Sequence, residues 1–180
     1  MIICAGNNET FDFATPMGVG LVEMAMNLTR LCLFDKPEFL LFVGSAGSYG
    51  DLGIFDIVES KTASNIELAF LEQKAYTPLD NVISTNTTNT KDIIVNSSNY
   101  ISTSKELTNK FLNFGVGLEN MEFFSVLRIA QEFDIPAGGV FCITNYTDAN
   151  AHQDFLANHE RAKELLSAHV KSRIEELTKK

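Results

Sequence analysis

Leu118-Glu-Asn-Met-Glu122 is followed by an apolar helical pattern through Phe124, Leu127, Ala130 and Phe133, which stops at Asp134-Ile-Pro136. The buried-type run Gly138-Gly-Val-Phe-Cys-Ile-Thr144 comes next, ending in the polar segment Asn145-Tyr-Thr-Asp148. Glu122 opens the helix and Asn145 ends the strand. In an α/β protein the crevice at the carboxyl ends of strands is where a ligand sits, so the two side chains are expected to face one pocket. This helix and strand set the fold class: α/β, three-layer, a mixed β-sheet flanked by helices.

The flanking chain repeats the theme. Ile2 to Ala5 reads as a buried first strand leaving through Gly6-Asn7-Asn8, with Glu9 at its carboxyl end. Phe11 to Thr15 alternates as a second strand. Leu21, Met24, Leu28, Leu31 and Cys32 recur at helical spacing, and Pro37 ends that helix. Phe39 to Val43 is a continuous apolar run expected to be a central strand, and Gly44-Ser45-Ala46-Gly47-Ser48 reads as a glycine-rich loop after it, whose N–H groups could approach an anion or a sugar. Ile54 to Ser60 alternates as a strand. Ile66 to Leu71 fits a strand or a short helix, and Ile93 to Val95 an edge strand among polar loops. Lys105 to Phe114 reads as a short helix and Gly115 to Leu118 as a strand stub. The segment from Asp154 to about Leu177 keeps Phe155, Leu166 and Val170 on one face of a long helix, and Lys179-Lys180 suit its dipole. The expected organisation is a single domain over residues 1–180.

Composition narrows the function. A net charge of −9 and few clustered cations speak against nucleic acid as a partner. No run approaches the roughly 20 apolar residues of a membrane span. Three separated cysteines imply neither a disulfide framework nor a metal site, so a cytoplasmic protein with no metal and no cofactor is expected.

Taken in order, these motifs resemble those of the purine nucleoside phosphorylase and nucleosidase superfamily. Gly18-Val-Gly20 is similar to its Gly-Ile-Gly turn, Gly44-Ser-Ala-Gly47 matches its Gly-Ser-Ala-Gly segment, and Gly53-Ile-Phe-Asp56-Ile-Val58 is close to its Gly-Asp-Ile-Val strand. Met121-Glu122 matches its Met-Glu pair, and Ile143-Thr144-Asn145 stands where it carries Ile-Ser-Asp. The resemblance implies cleavage of the N-glycosidic bond of a purine nucleoside in a homo-oligomer. It implies that Glu122 accepts from the ribose hydroxyls, that Met121 packs under the sugar, that Phe155 covers the base, and that Ser45, Ala46, Gly47 and Thr144 complete the binding surface.

Two residues point in different directions. Asn145, an amide where adenine-specific hydrolases keep an acid, resembles the Ile-Thr-Asn segment of phosphorylases of inosine and guanosine, and Asp148 offers an acid three residues on. Glu9 falls where the hydrolases keep the glutamate that activates water, and Phe42 occupies the position of a phosphate-binding Arg in the hexameric phosphorylases. Phosphorolysis of a 6-oxopurine nucleoside, with phosphate as co-substrate, is the first expectation. Hydrolysis through Glu9 is the alternative, and a non-catalytic nucleoside-binding protein the third. The segment before Gly18 is shorter than in relatives, which implies a wider pocket or one completed by a neighbouring subunit.

Overall fold

The computed structural model describes residues 1–85 and 92–178, so Lys179 and Lys180 lie outside it. The centre of the sheet is a pair of long parallel strands, β3 (Leu40–Ser48) and β9 (Ala137–Tyr146), joined along their whole length. Both are buried nearly throughout, which is why their sequences are apolar without alternation. The free edge of β3 is shared. Its first half pairs in parallel with β1 (Ile2–Cys4), and its last two residues pair antiparallel with β8 (Val116–Asn120). β1 carries β2 (Thr15–Pro16). Beyond β8 come β7 (Ile94–Ser97), β5 (Thr62–Ser64) and β6 (Val82–Ser84), while β4 (Ile57–Ser60) flanks β9.

Helices cover both faces, giving the three layers. On one face α1 (Gly20–Asp35) and α4 (Phe123–Glu132) bury Met24, Leu28, Val126 and Leu127 against Phe42 and Phe141. Gly139 is required there, because a Cβ would lie 2.7 Å from the Phe123 ring and 2.6 Å from that of Phe141. On the other face α5 (Ala151–Thr178) sets Ala162, Leu166 and Val170 onto Val43, Val140 and Cys142. The short α2 (Leu68–Leu71) and α3 (Lys105–Asn113) pack Leu71 and Phe111 around Tyr49. None of the described helices is long and apolar enough to cross a membrane.

Four sequence expectations change. Residues 44–48 are not a loop: β3 continues through both glycines, paired with β9 along its length and with β8 at Gly47 and Ser48. Phe11 to Ala14 form a turn closed by the Ala14 N–H to the Phe11 carbonyl (3.2 Å), and the two Phe rings meet each other at 5.3 Å instead of alternating across a sheet. β7 is internal, held between β5 and β8, and its Asn96 and Ser97 are buried in hydrogen bonds to Ser64, Ile66 and Phe124. β8 is no stub; it runs on through Glu119 and Asn120.

Candidate active site

A bulge at the end of the central pair aims the strand residues. Ala46 pairs with Ile143 and Gly47 with Asn145, which leaves Thr144 as the extra residue on β9. Its side chain is fully buried and does not line the cavity described below. The Thr144 hydroxyl instead donates to Asn145 Oδ1 at 2.9 Å, and Asn145 Nδ2 donates to the Tyr146 carbonyl at 3.1 Å. The amide orientation of Asn145 is thereby set, with one hydrogen and one lone pair left over.

That bulge opens onto a cavity of about 290 Å³. Glu9, Ser45, Ala46, Gly47, Met121, Glu122, Asn145 and Phe155 all line it, together with His152. Asp148 does not; its carboxylate caps the start of α5 by accepting the Asn150 N–H at 2.8 Å, which ties it to a local turn.

Glu122 sits at the N-terminus of α4 and is only 3% exposed. Its Oε1 accepts the Gly20 N–H at 2.8 Å, and its Oε2 accepts Asn120 Nδ2 at 2.8 Å. Burial pushes its carboxyl up to about 7; the Gly20 N–H pulls back, and the charge of Glu9 pushes the same way as burial. Asn120 was not picked out from the sequence, although an Asn just ahead of a helix is a capping signal. Its Oδ1 accepts the backbone N–H groups of both Glu122 and Phe123 at 2.7 Å, so one amide caps α4 and orients the acid.

Glu9 leaves the turn after β1, where Gly6 and Asn7 adopt positive φ of 103° and 54°. Its Oε1 accepts the backbone N–H of Ser45 at 2.9 Å and also the Ser45 hydroxyl. Both Ser45 donors are therefore spent on a carboxylate. The turn itself is held from α5 by His159, whose Nε2 donates to the Asn8 carbonyl at 2.8 Å.

Three carboxylates, those of Glu9, Glu119 and Glu122, face one cavity that no Lys or Arg among the described residues lines. Such a cavity favours a ligand that is cationic, or neutral and rich in donors. It disfavours an anion. A unit negative charge about 5 Å from each carboxylate would meet on the order of 3 kcal/mol of opposition per pair at an effective dielectric of 20.

No curated protein sequence matches the chain. Among solved structures, a mutant of the 5'-methylthioadenosine/S-adenosylhomocysteine nucleosidase of Helicobacter pylori, with 5'-methylthioadenosine in its active site, aligns at a TM-score of 0.78 and 21% identity, over 91% of this chain and 79% of that one. A futalosine hydrolase mutant from Helicobacter pylori aligns at 0.78 and 22%, over 91% and 80%. The Streptococcus pneumoniae nucleosidase bound to a transition-state inhibitor gives 0.75 and 12%, over 93% and 94%. At these identities the likeness is one of fold. Membership rests on the sequence itself: the Phosphorylase superfamily model matches residues 2–175, nearly the whole chain, and the chain belongs to that superfamily.

Proposed function

We propose that this protein hydrolyses the N-glycosidic bond of purine nucleosides, with water and not phosphate as the acceptor. The observation that carries this reading is the contact between Glu9 and Ser45. A phosphate would need the Ser45 N–H and hydroxyl, and the Glu9 carboxylate already holds both through Oε1. Its Oε2 is left to hold a water. The absence of Lys and Arg among the described residues lining the cavity supports the same choice, and the solved structures similar in fold include nucleosidases and a futalosine hydrolase.

The chemistry then divides among named groups. Glu9 Oε2 takes a proton from the water as its oxygen bonds to the anomeric carbon, and the C–N bond breaks with its electron pair leaving on the base. Positive charge builds on the sugar ring. Glu122 offers its remaining acceptor capacity to the ribose hydroxyls, and its charge stabilises that cation in a site shielded from water. Met121 supplies an apolar floor for the sugar, and Phe155 a face for the base. Asn145 donates its remaining hydrogen to a ring nitrogen of the leaving purine, which disperses negative charge without a full proton transfer.

Phosphorolysis of inosine or guanosine, suggested by Ile143-Thr144-Asn145, becomes the second reading. The two separate in one assay. Purified protein is incubated with 5'-methylthioadenosine, adenosine, inosine and guanosine, with and without phosphate, and free base and sugar products are followed. Base release is expected to be the same within about twofold in either condition, with the unphosphorylated sugar as the product: ribose, or 5-methylthioribose from 5'-methylthioadenosine. Release that requires phosphate and yields ribose 1-phosphate would overturn the proposal.

A further inference from the structure

The third carboxylate has no part in that scheme. Glu119 is on β8, is 8% exposed and lines the cavity. The Tyr49 hydroxyl donates to its Oε2 at 2.9 Å, and the Ser102 N–H donates to its Oε1 at 2.9 Å. Together with the Ser102 hydroxyl, these donors hold it as an acceptor and leave a lone pair for a ligand. Tyr49 is itself fully buried, stacked on Phe111 with ring centroids 4.5 Å apart, so the carboxylate is fixed from behind by a rigid aromatic.

The sheet register says what Glu119 faces. Gly47 pairs with Glu119 on one side and with Asn145 on the other, so the three residues form one row across β8, β3 and β9. A Cβ at position 47 would lie 3.0 Å from Asn145 Nδ2 and 3.3 Å from Glu119 Cγ. The amide and the acid lean toward each other over a glycine, and they can do so only because that position has no side chain. An amide with a spare donor and a carboxylate with a spare lone pair then converge on one edge of whatever enters the cavity.

We propose that Glu119 is a specificity-determining residue that selects purine bases carrying an N–H donor on the six-membered ring. It accepts that hydrogen while Asn145 donates to a ring acceptor on the same base. The donor is the exocyclic amino group of adenine or the N1–H of hypoxanthine; unsubstituted purine has neither. This rests on the cavity being the nucleoside site proposed above. A base without the donor leaves a buried carboxylate short of a partner, which sites of this kind reject strongly.

The test reads binding and not turnover. Adenine, hypoxanthine and unsubstituted purine are titrated calorimetrically into the wild-type protein and into Glu119→Gln. The wild type is expected to bind adenine or hypoxanthine at least tenfold more tightly than unsubstituted purine. Glu119→Gln, which keeps the shape and replaces one acceptor by a donor, is expected to reduce that ratio below about threefold. A purely structural role for Glu119 would weaken all three bases together and keep the ratio. Equal binding of the three bases by wild-type protein overturns the inference even if the variant does not fold, as does failure of all three to bind. If nucleosides are cleaved while the bases bind equally, the reaction stands and the role of Glu119 falls. If the bases are discriminated while no nucleoside is cleaved, the reaction falls and the selectivity of Glu119 stands.

Discussion

Glu122→Gln is expected to lower kcat/KM for nucleoside cleavage by about 10³-fold or more. The carboxylate is buried, so its charge acts on the sugar cation with little screening, and an amide of the same shape removes that charge. The hydrogen bonds also suffer. Gly20 N–H and Asn120 Nδ2 both donate to Glu122, and Asn120 cannot turn round because its Oδ1 is taken by two N–H groups. A Gln therefore meets one donor with another. The pH profile carries a second signature: with its carboxyl pushed up to about 7, kcat/KM of the wild type should fall on the acid side of neutrality as Glu122 takes up a proton. Stability moves the opposite way. A raised folded-state pKa favours the folded protein below the ordinary value of 4.5 and loses that contribution as pH rises through about 7. Relative to Glu122→Gln, the wild type should lose on the order of 3 kcal/mol between those limits. Urea denaturation of both proteins at pH 4.5 and 8 measures it, and a stability difference that does not change with pH would refute the buried charge.

Glu9→Gln is expected to reduce base release by roughly 10²–10⁴-fold, the range for loss of a general base. Gln can still accept from Ser45, so the turn should keep its place and ground-state binding should change little. The variant has a further readout on Glu122. The charge of Glu9 helps to raise that carboxyl, so its removal should shift the titration of Glu122 to lower pH, which carboxyl-resolved NMR follows directly. A variant with full activity would leave the water without its base and sink the hydrolytic reading.

Much of this was legible in the chain because apolar runs carry it. The strands around Val43 and Val140 and the helix at Met24 and Leu28 are dictated by which residues must be buried. The pair Met121-Glu122 stands out only through its match to the superfamily's Met-Glu pair in order with the neighbouring motifs, since an acid at a helix start alone could equally answer the helix dipole. Other parts were hidden for identifiable reasons. Gly44 and Gly47 look like a loop to any local propensity, yet β9 supplies a full ladder that overrides it. Glu119 falls just beyond the expected strand stub and draws no assignment, because nothing local announces that β3 ends beside it and that Tyr49, 70 residues earlier, reaches its carboxylate. The bond between Glu9 and Ser45 spans 36 residues, and nothing in either local sequence announces that a carboxylate will fill the place an anion would take.

The helix α5 begins at the cavity, where Ala151, His152 and Phe155 line it, and ends with Lys171 to Glu176 exposed. At 1.5 Å per residue its 28 residues span about 42 Å, so one helix samples both the site and bare solvent. In amide hydrogen exchange the first turns, tied down by Asn158 to the Thr144 carbonyl and by His159 to that of Asn8, should slow when a nucleoside occupies the cavity. The last turns should exchange at the same rate with or without it. A single helix would thus carry both the signal of occupancy and its own internal reference.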